Sequence, residues 1–269
     1  MNKRLQLSSL ILKKAKELGA DLAGITGVEE LKDCPSFTVA SKIPHAEEVG
    51  PTECKLDLKT GEVAWPEEGK GVIVIALSHP EDKPELDWWL GKKSPPGNKI
   101  LINVINELST WLESKYQIKT YHMPYHIENG GIFLKDAAVM AGLGCIGRNN
   151  LLITPEYGPR VRLRAMVTNM KLISTGPISF DPCSDCKGYC LDQCPTGAFD
   201  KIIYQKEEVG QKILPGRIGN YSRLKCNKQM KAEIDLQNEN EIVFSESDGE
   251  MYHPVKHCRN CEFSCPIGQ

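Results

Sequence analysis

The sequence has no excess of either charge: 33 Lys and Arg stand against 35 Asp and Glu, for a formal net charge of -2. A chain-wide basic footprint for nucleic acid is therefore missing, and nucleic acid is not expected as a partner. No apolar run approaches the length needed to cross a membrane. The N-terminus, MNKRLQLSSLILKKAKELGADLAG, alternates charged and apolar residues. It lacks a continuous signal core, a small-residue cleavage site and a twin arginine, which predicts a cytoplasmic protein. No internal repeat is present beyond two cysteine groups. What remains is ordinary globular material: 269 residues, 41% apolar and 25% charged, enough for one large domain or two modest ones.

Hydrophobic spacing organises the first two thirds. Leu7, Leu10, Ile11, Ala15 and Leu18 share one face of a helix over 5–18, which Gly19 ends, and a short apolar segment follows at 22–25. Residues 34–69 are rich in Pro, Gly and charge and predict irregular structure. The run Val72-Ile73-Val74-Ile75-Ala76-Leu77 reads as a strand covered on both faces. Further helices are expected over 100–116 and 132–140. Gly142-Leu143-Gly144-Cys145-Ile146-Gly147-Arg148 is a turn where backbone can approach a ligand or another segment closely. It follows a helix and not a strand, so its glycine spacing is no dinucleotide fingerprint. Along the strand expected at 161–167, Arg160, Arg162 and Arg164 share one face and Val161, Leu163 and Ala165 the other. That strip fits either a solvated edge or a contact to anionic groups of a cofactor. Gly176-Pro177 divides an α/β domain, 1–176, from a cysteine-rich domain, 177–269.

Eight of the 11 cysteines fall in that second part. Cys183-x2-Cys186-x3-Cys190-x3-Cys194-Pro195 is followed by a lone Cys226 and then Cys258-x2-Cys261-x3-Cys265-Pro266. A long chain without an export signal sits in a reducing compartment, so metal ligation is favoured over disulfides. Two Cys-Pro endings are typical of ferredoxin loops, whose last cysteine serves the other cluster. The crossed arrangement suggests Cys183, Cys186, Cys190 and Cys265 for one [4Fe–4S] centre, and Cys194, Cys226, Cys258 and Cys261 for the second. Two four-cysteine zinc sites are the plainer alternative. Cys34 and Cys54 receive no role.

Three stretches carry a wider likeness: Gly19-Ala20-Asp21-Leu22-Ala23-Gly24-Ile25, the strand at 72–77, and above all 141–148 with 152–163. In these, and around Arg223-Leu224-Lys225-Cys226, the chain resembles the superfamily of the tRNA-modifying epoxyqueuosine reductases and the corrinoid-dependent reductive dehalogenases. The resemblance implies an α/β (α+β), nitroreductase-like corrinoid-binding core followed by a ferredoxin-like two-cluster module. It implies a base-off cobamide above two [4Fe–4S] clusters, with Gly142, Leu143, Gly144, Cys145, Gly147, Arg148, Thr154 and Tyr157 around the corrin. Asn129, Arg160 and Arg162 join them as cofactor-binding candidates. Asn129 stands where the queuosine enzymes carry an aspartate acid, and a neutral amide cannot donate that proton. The dehalogenase tyrosine donor has Tyr121 or Tyr125 as its nearest counterpart here. The chain runs four residues past Cys265, without the C-terminal helical region of the queuosine enzymes or the extra length of respiratory dehalogenases. Neither of those two reactions is expected of it.

The expected function is therefore reduction of a small organic substrate by a cobalt centre that the two clusters reduce. Tyr121, Tyr125 and His126 are the candidate catalytic residues, with His122 and Glu128 beside them, and a ferredoxin or flavodoxin is the electron donor. One alternative is a reductase or carrier serving a corrinoid partner protein, docked through the acidic 228–251 segment. Another is an iron–sulfur electron carrier without a corrinoid.

Overall fold

The computed structural model describes residues 3–39, 58, 62–90, 94–236, 241–245 and 249–269. Cys54 lies outside them. A central sheet of four antiparallel strands forms from β1 (Leu22–Gly27), β2 (Gly71–Ser78), β3 (Thr120–His122) and β4 (Val161–Thr168), in the order β1-β2-β4-β3. Helix α1 (Lys3–Glu17) precedes the sheet, and α2 (Pro96–Tyr116) and α3 (Leu134–Met140) lie between its strands in sequence.

The β-branched run of β2 explains its central place. Successive side chains point to opposite faces. Val72, Val74 and Ala76 meet Ala137, Ala138 and Ala141 on the α3 side. Ile73, Ile75 and Leu77 meet Ile11 and Ala15 of α1 and Leu101, Leu108 and Leu112 of α2 on the other. Each buried Val or Ile contributes about 1.5–3 kcal/mol by leaving water. Helix α2 starts four residues before the expected 100, because Pro96 occupies the first turn, where its missing N–H costs nothing. It ends on Gln117 in the left-handed region at φ 56°, whose N–H caps Glu113.

The arginine face of β4 is not a solvated edge. Leu163, Ala165 and Val167 enter the α3 side of the core. Arg162 and Arg164 lie on the face where Met166 packs with α2, and Asn98 of the first α2 turn accepts from Arg162 Nε at 3.0 Å. The stretch expected to be irregular, 34–69, opens on a buried Cys34 between the short helices Val28–Lys32 and Pro35–Val39, of which the second lies within it.

The expected fold class needs correction. Among the described residues, 177–269 contribute four helices: Tyr189–Asp192, Lys206–Val209, α4 (Arg223–Asp235) and Asn260–Phe263. Their strands are one hairpin, Val243–Ser245 with Glu250–Tyr252, and the pair Pro254–Val255, which joins Trp89–Leu90. No closed ferredoxin-type sheet forms among these residues. The physical reason is that Pro254–Val255 takes its partner from the first part of the chain. The molecule is a mixed α/β fold.

Candidate functional site

Where the cysteine segments meet the glycine-rich segment, they enclose a cavity of about 320 Å³. Cys183, Cys186, Cys190 and Cys265 line it, with Arg148, Asn149 and Ile153 as the opposite wall. Four thiols from two distant stretches are thereby brought together. Cys226 interacts with Cys258 and Cys261 in a second neighbourhood. Cys194 reaches that side through Thr196, whose hydroxyl donates to Lys225 O at 3.0 Å, while Ala198 N–H donates to Cys194 Sγ at 3.2 Å.

The 142–160 segment braces the cysteine loops. Arg148 donates to Cys186 O at 2.8 Å, Asn149 Nδ2 to Cys261 O at 3.2 Å, and Arg160 Nη2 to Ile267 O at 2.7 Å. Thr154 is fully buried; its hydroxyl donates to Gly158 O at 3.1 Å and accepts from Tyr157 N–H. The glycines admit protein backbone. A Cβ on Gly144 would stand 2.0 Å from Ile153 O, and one on Gly142, where φ is +76°, 2.7 Å from Thr175 O. Leu143 is buried in the core, and Gly147 packs on Ile153. Cys145 pairs with Ile153, and burial, reinforced by Cys183 and Asp181, pushes its thiol up to about 11.

The expected cofactors are corrected by this geometry. Among the described residues, no group of three or more His, Cys, Asp or Glu is arranged so that it could hold a metal ion. The thiols are spread around a cavity wall, and burial favours the protonated form of Cys190 and Cys265. Burial and the neighbouring Cys183 push Cys190 up to about 11; burial also raises Cys258 to about 11, and Cys261 further. The two [4Fe–4S] clusters, the cobamide, and the cobalt-reducing and iron–sulfur carrier functions built on them are accordingly not supported. For the cobamide the further reason is that the close approach at Gly142 and Gly144 is taken by the protein's own backbone.

The candidate proton donors are placed differently from one another. Tyr121 donates to Glu68 Oε2 at 2.9 Å, and that bond holds its phenol above the ordinary value. Tyr125 accepts from Arg162 Nη2 at 3.2 Å, carries the Arg164 guanidinium 5.6 Å above its ring, and meets His126 edge-on at 5.3 Å. Asn129 Oδ1 is buried without a hydrogen-bond partner.

Sequence reading missed a buried ionic network beside the second thiol group. Asp87 pairs with Arg162, and its other oxygen lies 3.4 Å from His257 Nε2 and 3.7 Å from Arg259 Nε. Arg259 also pairs with Glu262 and meets His79 Nδ1 at 2.6 Å. Burial opposes charge on Asp87, but His257 and Arg162 outweigh it and hold the carboxyl well below its usual range. The only sequence signal was an Arg and a Glu three apart inside a cysteine loop.

No family model matches the chain. It is 28% identical over 212 residues to the epoxyqueuosine reductase of Bacillus subtilis (strain 168), which is 72% of this chain and 51% of the relative. It is 29% identical over 238 residues to the tetrachloroethene reductive dehalogenase of Desulfitobacterium hafniense, 75% of this chain and 41% of the relative. The chain is a homologue of the epoxyqueuosine reductases and reductive dehalogenases. This homologue spans about half the length of the curated relatives it matches. A solved epoxyqueuosine reductase with an epoxyqueuosine-modified tRNA-Tyr stem-loop shares its fold, with a TM-score of 0.62 at 22% identity over 99% of this chain and 66% of that one. The expectation that excluded nucleic acid is overturned by that complex: net charge is a whole-chain sum and does not describe a local surface. Among the described residues, no helix is long and apolar enough to cross a membrane.

Proposed function

We propose that this homologue is an oxidoreductase whose cavity thiols carry the electrons, two thiols closing to one disulfide as two electrons and two protons pass to the substrate, with Tyr121, Tyr125 and His126 as candidate proton donors. The carrying observation is the cavity: Cys183, Cys186, Cys190 and Cys265 line it with Arg148 and Asn149 from the other part of the chain. Cys194, Cys226, Cys258 and Cys261 form the second group of this reading. Its test is an anaerobic potentiometric titration of the full chain and of Cys190→Ser, Cys265→Ser and Cys34→Ser. A reversible transition that both cavity variants lose and Cys34→Ser keeps is the expected result. A wild-type chain without any transition, or cavity variants that retain it, would overturn the proposal.

The substrate we propose is an RNA stem-loop, and residues 209–232 favour it. They hold six cations, Lys212, Arg217, Arg223, Lys225, Lys228 and Lys231, and no carboxylate; of these Arg217 is taken by Asp181 and Lys225 Nζ donates to Gly197 O. Leu224, Lys228 and Lys231 lie exposed along α4, four and three residues apart, on its outward face. Cations there meet phosphates, and binding through them weakens as salt rises. Fluorescence anisotropy with a labelled tRNA stem-loop tests this. Salt-sensitive binding that Lys228→Glu weakens is expected; binding that the variant leaves unchanged, or none, rejects the RNA reading.

A further inference from the structure

The network around Arg259 joins three stretches remote in sequence: 79–87, 162 and 257–262. Four of its members, His79, Asp87, Arg259 and Glu262, are at most 7% exposed. A guanidinium only donates, so His79 Nδ1 must accept from Arg259, and the ring is neutral. Burial, the largest influence, pushes His79 down to about 4, in agreement with that geometry. The network thus sets two guanidiniums, Arg162 and Arg259, against two carboxyl groups, Asp87 and Glu262. Burying such groups gains little stability over an apolar core, yet removing one partner strands a charge. What the arrangement supplies is a defined geometry, and Arg259 sits in the loop between Cys258 and Cys261.

We infer that Arg259 is a positioning residue: gripped by Asp87, Glu262 and His79, it fixes the Cys258–Cys261 loop against the end of β2 and so sets the placement of the second thiol group. Two further contacts agree. The Arg259 guanidinium lies 4.5 Å from the Phe263 ring centroid, and Asn149 Nδ2 donates to Cys261 O. Trp89, next to the Asp87 loop, has its ring centroid 5.9 Å from that of His257. The inference adds to the electron-handling proposal, but its primary readout is thiol placement, so either can fail alone.

Asp87→Asn is the probe, because it alters the grip from 172 positions away in sequence and changes no cysteine. Site-resolved alkylation of the full chain, followed by mass spectrometry, should show Cys258 and Cys261 reacting several-fold faster while Cys183 and Cys186 keep their wild-type rates. The midpoint of any transition assigned to the second group should shift as well. Arg259→Lys keeps the cation but loses the fork, and should give an intermediate acceleration at the same two cysteines. It serves in place of Asp87→Asn if that variant does not fold. Unchanged rates at Cys258 and Cys261, or an equal rise at every cysteine, would overturn the inference, since the second pattern is general loosening.

Discussion

At the residue scale, glycines and a lysine make the sharpest statements. Gly158 combines φ +54° with an approach that would put a Cβ 1.9 Å from Ile267 O. Gly158→Ala should therefore cost about 1–3 kcal/mol in urea unfolding, with the cysteine loops losing protection before the sheet does. Lys135 donates to Asn150 O at 2.5 Å, and burial pulls its ammonium from 10.5 down to about 8. Between those two values the unfolded chain holds a proton that the folded chain does not, so rising pH favours folding through this group. The stability of wild type relative to Lys135→Met should climb from about pH 8 to 10.5, measured by denaturant unfolding at stepped pH. A flat difference would show that Lys135 does not titrate as its burial requires. The cavity cysteines were legible individually because their spacing is unusual. Arg259, Glu262 and His79 were not, because a charged residue carries no mark in sequence that it will be buried.

Elements were legible where one hydrophobic period dominates. Strand β2 and helix α1 lie within two residues of their expected limits, since each has a continuous run or stripe that only one structure can bury. The start of α2 carries no hydrophobic period, because Pro96, Gly97 and Asn98 open the helix ahead of the apolar stripe. Short pairs such as Trp89–Leu90 with Pro254–Val255 leave no periodic trace at all. The alternation placed Arg162 and Arg164 on one face of β4, while Arg160 lies before the strand, and which layer covers that face is a tertiary outcome. Leu108 of α2 is fully buried on the Ile73 and Ile75 side. Leu108→Ala should lower unfolding free energy by about 2–5 kcal/mol, with the urea midpoint falling and the slope unchanged. A cost well under that range would mean α2 repacks easily.

At the scale of the whole molecule, the two sequence-defined parts are stitched by side chains reaching backbone. Arg160, buried immediately before β4, donates to Ile267 O, and Arg148 to Cys186 O. Arg160→Gln should raise hydrogen exchange over 258–269 while leaving β1, β2 and β4 protected, because removing one anchor frees the segment it held and leaves the sheet's own bonds in place. Equal protection in variant and wild type would assign the stitching to other residues. Cys183, Cys186, Cys190 and Cys265, expected together as ligands of one cluster, line one cavity, but among the described residues the arrangement needed to hold a metal ion does not follow from their spacing. Net charge misled at this scale for a similar reason: a sum of -2 conceals 24 residues that carry cations alone.

The cavity wall also sets an order of events during synthesis. Cys183, Cys186 and Cys190 leave the ribosome some 75 residues before Cys265, the thiol that completes their group. Throughout that interval they lack the covering from Ser264 to Ile267, and the glycine-rich wall faces nothing. The nascent chain's first three cavity thiols are thus most open to oxidation and mispairing until the Cys265 loop arrives, so slower translation through 190–265 lengthens that exposure.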